Sequence, residues 1–204
     1  NYGVNPATGH VGYAGISSPG NAPSAITVGA VDSRATVARD DDRIADFSSR
    51  GPTWYDGFAK PDLVAPGHRI VSVADPTSTL FANYPQFRVP SPTTGQHDYF
   101  RLSGTSMAAP VVTAAVAAIQ QVDMESGYYF SGSPRPYLTP NAIKAILQYT
   151  ATAVHADAGG AYDRMSQGAG EVNLRGALDV VRRIDPSAPA GSWWLTTAVT
   201  ESSL

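Results

Sequence analysis

Short apolar runs without charged residues recur in the first part of the chain. Residues 25–31 form one such run, in which β-branched side chains dominate and no polar face is present. This pattern predicts a strand that is buried on both faces, as strands of parallel sheets are. Residues 63–65 and 70–73 predict two further strands, and a turn at Pro66 and Gly67 separates them.

A long uncharged stretch predicts the central helix. No residue from Leu102 to Val122 carries a charge, and the helix is expected to begin at residues 103–106. A helix that is apolar on nearly every face belongs in the interior of a protein. Pro110 is expected in its first turn, where backbone N–H groups have no helical partner.

Two more helices are predicted near the end of the chain. Thr139 is a suitable N-cap and Pro140 a suitable first helical residue. The inner stripe of this helix is expected to be Ile143, Ile146, Leu147 and Thr150. A third helix is predicted within 170–183, with Leu174, Ala177, Leu178 and Val181 at helical spacing. Short buried strands together with helices predict an α/β layered fold.

Three segments are predicted to be irregular. Residues 1–24 are rich in Gly, Pro, Asn and Ser, and residues 75–98 contain four prolines. The second segment is expected to be a long surface loop. Its aromatic side chains either line a substrate cleft or, as we expect, anchor the loop on the body of the domain: Phe81, Tyr84, Phe87, Tyr99 and Phe100. Residues 184–204 are expected to be a tail or linker, with Trp193 and Trp194 packed on this domain or a following one.

The composition of the chain argues against several classes of function. The 204 residues include 14 Lys and Arg against 17 Asp and Glu, which leaves a net charge of −3 and no broad basic field for nucleic acid or anionic lipid. The chain has no Cys, which excludes disulfides, thiolate metal sites and a cysteine nucleophile. The nearly apolar run 107–119 is shorter than the roughly 20 residues of a membrane-spanning helix, so no span is expected.

The segment 104–110, Gly-Thr-Ser-Met-Ala-Ala-Pro, carries the candidate chemistry. It places Ser106 where a loop turns into an apolar helix. Free N–H groups and the positive end of the helix dipole lie beside its hydroxyl and suit a developing oxyanion. Serine and threonine are also common N-caps, so the generic pattern alone leaves a purely structural role open.

The full heptapeptide resembles the nucleophile motif of the subtilases, the subtilisin-like serine endopeptidases. Further segments are similar to that family in the same order: 25–32, 45–52, 60–67, 138–152 and 167–173. The resemblance covers about residues 1–183. It implies a three-layer α/β fold with a parallel sheet, a buried helix that starts at the nucleophile, and hydrolysis of peptide bonds through an acyl-enzyme on Ser106.

The resemblance also implies an Asp–His–Ser triad in which Asp and His precede the serine. The four histidines are His10, His68, His97 and His155, and none of them is followed by Gly-Thr. We therefore expect residues 1–183 to be the C-terminal part of a catalytic domain, with an incomplete sheet. The triad Asp and His are expected on a segment that this chain lacks, so the chain alone is expected to be inactive.

Other site residues follow from the same resemblance. Asn1 lies at the relative position of the amide that completes the oxyanion hole, and Gly104 and Thr105 are expected to bind substrate. The chemistry requires no cofactor. Structural Ca²⁺ is considered at the carbonyls of Gly20, Ala22 and Ala25, since subtilases often bind calcium through loop carbonyls. Residues 40–42, three aspartates between two arginines, are interpreted as a solvated turn rather than a calcium site.

The expected partners are protein or peptide substrates and the N-terminal part of the same catalytic domain. Most subtilases act outside the cytoplasm, so secretion or a cell-surface location is expected.

Two alternatives to the subtilase function stay open. One is an α/β-hydrolase, in which Asp123 or Asp157 would act with His155 after the serine. The other is an inactive subtilase segment that serves as a binding or structural module.

Overall fold

The structure is a computed structural model, and it describes residues 3–96, 99–125, 137–185, 188–189 and 191–195. The strands are β1 (Val28–Asp32), β2 (Arg43–Ile44), β3 (Leu63–Pro66), β4 (Ile70–Val73), β5 (Arg88–Val89) and β6 (Tyr99–Leu102). The α-helices are α1 (Thr79–Asn83), α2 (Thr105–Glu125), α3 (Pro140–Thr150), α4 (Arg164–Gln167) and α5 (Leu174–Val181), and a 3₁₀ helix covers Pro85–Phe87.

The central sheet contains the predicted parallel pair. β1 and β3 run parallel, with Val28 opposite Leu63 and Ala30 opposite Ala65. The short strand β2 pairs antiparallel with the end of β1. On the far side of β3, Val64 forms a parallel bridge with Glu171. The prediction of an α/β fold with an incomplete parallel sheet is confirmed.

Helix α2 packs across β1 and β3, but only one of its faces is buried. The buried residues lie three or four positions apart: Ala108, Val112, Ala115, Ile119 and Asp123. The opposite face, which includes Ala109, Ala114 and Ala117, is exposed. The described residues thus cover one face of this apolar helix, and the opposite face lies at their surface.

By length and composition alone, α2 could cross a membrane. Core helices of soluble proteins meet the same criterion, and the packing of α2 explains its composition here. Its buried face belongs to one apolar cluster with Leu63 of β3 and Val180 of α5. This arrangement is typical of a central helix in an α/β domain.

The two later helices follow the sequence pattern. Thr139 caps α3 by accepting a hydrogen bond from the N–H of Ala142, and all four predicted stripe residues are buried. Helix α5 is shorter than the predicted range 170–183. Its N-cap is Asn173, whose side chain accepts from the N–H of Gly176, and this cap fixes where the helix begins. Ala177 and Val181 are buried as predicted, whereas Leu174 is exposed.

Residues 75–98 are more regular than a loop. They contain α1, the 3₁₀ helix and β5, which pairs with β6 in a second, antiparallel sheet of order β4-β6-β5. Three of the aromatic residues pack on one another, because the Phe81 and Phe87 rings each lie 5.9 Å from the Phe100 ring, while anchoring on the body of the domain stays a prediction. Pro85 is the first residue of the 3₁₀ helix and Pro90 directly follows β5, so the prolines of this segment are compatible with short regular elements.

The last described residues return to the core. Ile184 forms an antiparallel bridge with Leu195, which is buried in the main apolar cluster. Trp193 is 71% exposed and Trp194 is 42% exposed. Leu195, rather than the two tryptophans, therefore packs this segment on the domain.

Candidate active site

Ser106 is the second residue of α2, and its side chain is exposed. The carbonyl of Gly104 accepts hydrogen bonds from the N–H groups of Met107 and Ala108, at 2.9 and 3.3 Å, and so closes the first turn. Within the described part of the chain, no acceptor contacts the N–H of Ser106. That N–H, at the positive end of a 21-residue helix, is thus free to bind an anionic oxygen.

The turn before Ser106 is held by contacts between three parts of the chain, namely the end of β1, the turn at Gly67 and Gly104 itself. The N–H of Gly104 donates to the carbonyl of Gly67 at 2.8 Å, and the N–H of Gly67 donates to the carbonyl of Val31 at 3.0 Å. A Cβ atom on Gly67 would lie 2.8 Å from both Ala30 Cβ and the Gly104 oxygen. Only glycine at position 67 allows the serine turn to lie this close to β1.

Pro110 lies inside α2, one turn after Ser106, rather than in the first turn as predicted. A residue at this position normally donates its N–H to the carbonyl of the residue four positions earlier. Proline has no N–H, so the carbonyl of Ser106 lacks the usual hydrogen bond from the residue four positions later.

Two clefts meet at Ser106. The first, here called the loop-side cleft, has a volume of about 420 Å³ and is shared by Ser106 and Thr105. Its other walls include Gly15, Ile16, Pro19, Gly20, Ile26 and Thr27. The second, the strand-side cleft, also has about 420 Å³ and is lined by Ser106, Met107, Val111, Ile70, Phe100 and Leu102. An extended ligand lying across Ser106 would contact both.

His68 pairs with an aspartate away from Ser106. Its Nδ1 lies 2.8 Å from Oδ1 of Asp32, and both side chains are about one-third exposed. Partial burial acts to raise the pKa of Asp32, but the hydrogen bonds from His68 and from the N–H of Arg34 outweigh it and lower the pKa. Among the described residues, no hydrogen bond joins a histidine to Ser106. His97 lies outside the described residues.

The α/β-hydrolase alternative fails on geometry. Asp123 lies on the same helix as Ser106, 17 residues further on, which corresponds to about 26 Å along the helix axis. Asp157 is held by Arg34 at 3.1 Å and by Arg43 at 2.5 Å. Asp123 is thus too far from the serine, and Asp157 forms ion pairs with two arginines rather than with a histidine.

The structure shows where the other predicted site residues lie, and their substrate-binding roles stay predictions. Thr105 lines the loop-side cleft, and Gly104 forms the turn, whereas Asn1 lies outside the described residues and its role stays a prediction. The aspartate run is not a uniformly solvated turn. Asp41 accepts from Thr36 at 2.9 Å, but Asp42 is buried and hydrogen-bonded to Glu171. The sequence reasoning missed this pair, since Glu171 lies 129 positions away.

The carbonyls considered for calcium already have donors. The Gly20 oxygen accepts from Thr27 Oγ1 at 2.6 Å, and the Ala22 oxygen accepts from the N–H of Ala25 at 3.2 Å. The Ala25 oxygen accepts from Lys60 and Lys144, at 3.0 and 2.9 Å. This arrangement does not fit a calcium ion at these three oxygens. Sequence reasoning considered neither lysine.

Comparison with solved structures agrees with this architecture. The CspB protease of Clostridium perfringens matches with a TM-score of 0.60 over 84% of this chain and 30% of that chain, at 24% identity. The prenylagaramide maturation protease PagA matches with a TM-score of 0.53 over 82% of this chain and 48% of that chain, at 23% identity. At these identities the likeness concerns the fold alone.

Sequence relatives and a family model give the assignment. Serine protease AprX of Bacillus subtilis is 41% identical over 133 residues, which are 65% of this chain and 26% of that protein. Pyrolysin of Pyrococcus furiosus is 31% identical over 192 residues, covering 83% of this chain and 12% of that protein. The chain thus spans about a quarter or less of these relatives. The subtilase family model matches residues 6–170, and the chain belongs to the subtilase family.

Proposed function

We propose that this chain is the part of a serine endopeptidase catalytic domain that carries the nucleophile. The observation that supports it is the placement of Ser106, which is exposed at the start of α2 where two clefts meet. Family membership and the name of AprX as a serine protease agree with this role. The substrates in this proposal are proteins or peptides.

The chemistry assigns one role to each group. The Ser106 hydroxyl attacks a peptide carbonyl while its proton passes to a histidine base, and the amine product leaves with that proton. The N–H of Ser106 and the side-chain amide of Asn1 stabilise the oxyanion. Water then attacks the acyl-enzyme and restores the free hydroxyl. In this proposal the histidine, and the aspartate that orients it, belong to a segment that precedes this chain, and the chemistry requires no cofactor.

The exposed face of α2 supports an N-terminal part of the domain as a partner. Ala109, Pro110 and Ala114 are exposed on a stretch that carries no charge from Leu102 to Val122. An apolar face of this kind next to a nucleophile is suited to be covered by protein.

The same proposal places the protein outside the cytoplasm, in line with the relative named minor extracellular protease Vpr of Bacillus subtilis.

The alternative is that the chain is an inactive module of subtilase fold. It is favoured by the hydrogen-bond pattern, since among the described residues no histidine is bonded to Ser106. In that case Ser106 would be no more reactive than an ordinary alcohol in any form of the protein. The two proposals differ in one measurable property, the nucleophilicity of the Ser106 hydroxyl.

A fluorophosphonate probe followed by intact-mass analysis measures that property. We expect the natural full-length protein to be labelled once and the Ser106→Ala variant not to be labelled. Ser103→Ala is the matched control, because Ser103 is exposed in the same turn and accepts from the N–H of Arg69 at 2.8 Å. The control variant should be labelled like the unmodified protein. The 204-residue chain alone should neither react with the probe nor hydrolyse casein.

Three outcomes would contradict the proposal. Labelling that persists in Ser106→Ala would assign the nucleophile elsewhere. A folded full-length protein that resists the probe would favour the inactive module. Labelling of the 204-residue chain that is lost in Ser106→Ala would show instead that a base lies within this chain.

A further inference from the structure

Both lysines of the chain bind the same carboxylate. The 204 residues contain two lysines, Lys60 and Lys144, separated by 84 positions. Lys60 Nζ lies 2.7 Å from Oδ2 of Asp62, and Lys144 Nζ lies 2.9 Å from Oδ1 of the same residue. Lys60 and Asp62 are buried, with 2% and 5% of their surfaces exposed.

The same two ammonium groups hold backbone carbonyls of the loop before β1. Both donate to the oxygen of Ala25, and Lys144 also donates to the oxygen of Pro23 at 2.9 Å. Asp62 adds a further contact, because its Oδ2 accepts from the N–H of Thr27 at 2.7 Å. The loop is therefore fixed to β3 and α3 through one compact group of charges.

The oxygen atoms that accept hydrogen bonds from the two lysines are of the kinds that bind hard cations. Two carbonyl oxygens and two carboxylate oxygens converge, and oxygen donors of these kinds are the ligands of Ca²⁺ in proteins. Two ammonium groups carry two positive charges, as one calcium ion does. With Asp62 ionised, the net charge of this site is +1 with the two lysines, and it would also be +1 with one calcium ion in their place.

We propose that Lys60 and Lys144 occupy the place of a structural calcium ion and hold the 19–27 loop without metal. Calcium cannot bind there while both ammonium groups are present, because they occupy the Ala25 oxygen and both oxygens of Asp62. Removal of the ammonium groups leaves four oxygens, two of them on the buried Asp62, with water to complete a coordination shell of six to eight ligands. The loop residues Pro19, Gly20, Ala25 and Thr27 line the loop-side cleft, so the lysines also set one wall beside Ser106.

The test measures thermal unfolding of the natural full-length protein and needs no enzymatic activity. The variants are Lys60→Ala with Lys144→Ala, Lys144→Ala alone, and the double variant with Asp62→Asn added. The matched control is Asn141→Ala, an exposed position on α3. Each is melted with a chelator, with millimolar calcium chloride and with millimolar magnesium chloride.

We expect the double variant to melt at least about 5 °C below the control in chelator, because it leaves a buried carboxylate unpaired. Calcium should raise the melting temperature of the double variant by about 5 °C more than it raises that of the control, whereas magnesium should not. Adding Asp62→Asn should remove this extra response. If the double variant is unfolded in chelator, Lys144→Ala alone gives the same comparison, because Asp62 Oδ1 and the Pro23 oxygen are then free.

Two results would overturn the proposal. One is an equal response of the double variant, Lys144→Ala and the control to calcium. The other is a double variant as stable in chelator as Asn141→Ala. Neither result depends on the reactivity of Ser106, so failure here is separate from failure of the proposed peptidase function.

Discussion

The carboxyl groups of Asp42 and Glu171 are hydrogen-bonded to each other in the interior of the protein. Each residue is 3% exposed, and within the described part of the chain Oδ1 of Asp42 has no hydrogen-bond partner. Burial, the hydrogen bond and the charge of Asp42 together raise the pKa of Glu171 to about 8. At least one proton is therefore shared by the pair at neutral pH.

This pair predicts that stability falls as the pH rises from about 5 to about 8. The folded protein binds a proton at Glu171 that the unfolded chain has already lost in this range, so raising the pH favours unfolding. The free energy of unfolding should fall by at least about 1.4 kcal/mol, the equivalent of one pKa unit. Urea unfolding at a series of pH values measures it.

Glu171→Gln is the matched variant for this measurement, because it keeps the shape and can still donate to Asp42. It should flatten the pH dependence between about 5 and 8, since its side chain does not titrate. The groups that face the pair are Asp41, Arg39 and Arg43. A variant that keeps the full pH dependence would assign it to another group.

Gly67→Ala should disturb the turn before Ser106. The new Cβ would meet Ala30 and the Gly104 oxygen at 2.8 Å, closer than such atoms pack. We expect a loss of about 1–3 kcal/mol in stability from the overpacking and slower fluorophosphonate labelling of the full-length protein. Gly57→Ala is the control for loss of stability alone: its Cβ would meet no atom within 4 Å, but its φ of +67° strains an alanine at a position that lines neither cleft, so labelling should not change. Unchanged labelling in a destabilised Gly67→Ala variant would separate this contact from the serine.

Ala117→Glu should interfere with the partner proposed for α2. Ala117 is exposed in this chain and lines neither cleft, so the substitution should leave the stability of the 204-residue chain within about 0.5 kcal/mol. In the full-length protein it should reduce probe labelling of Ser106, because a charge would enter the proposed contact with the N-terminal part. Gln120→Glu, at another exposed position of α2, serves as the control. Equal labelling of both variants would place the partner elsewhere.

Arg88 should hold the segment 79–89 in place. Its guanidinium donates to the Phe81 oxygen at 3.0 and 2.7 Å and lies 4.4 Å from the centre of the Phe81 ring. Arg88→Ala should speed proteolytic cleavage within this segment, while the exposed Gln86→Ala should not. Cleavage sites and rates are measured by mass spectrometry during limited proteolysis. Equal rates in both variants would show that the ring contacts suffice without Arg88.

Leu147→Ala tests how much the buried side chains of α3 contribute to the stability of the protein. Leu147 is fully buried, so its truncation should cost about 2–5 kcal/mol of stability in urea unfolding. Tyr149→Ala on the same helix should cost much less, because Tyr149 is 59% exposed. Similar losses in the two variants would contradict the burial of Leu147 in the main apolar cluster.

The regular elements could be predicted where a local pattern decides them. The stripe of α3 lies entirely within eleven residues, and the cap at Thr139 is a neighbour of that stripe. The β1 run indicated a buried parallel strand through its composition alone. By contrast, the short elements of the 79–89 segment depend on Phe100, which follows them in the chain, and were not predicted.

The sequence by itself determined the family, the nucleophile motif around Ser106 and the order of the buried strands and helices, because each is encoded by neighbouring residues. Tertiary structure decided which charged groups are buried. It brought Glu171 to Asp42, placed Lys60 and Lys144 on Asp62, and left one face of α2 exposed. The physical reason is that the burial and the pairing of a charged side chain depend on segments that lie far apart in the chain. Such a side chain destabilises the fold when these segments bury it without a partner, and it holds them together when they supply one.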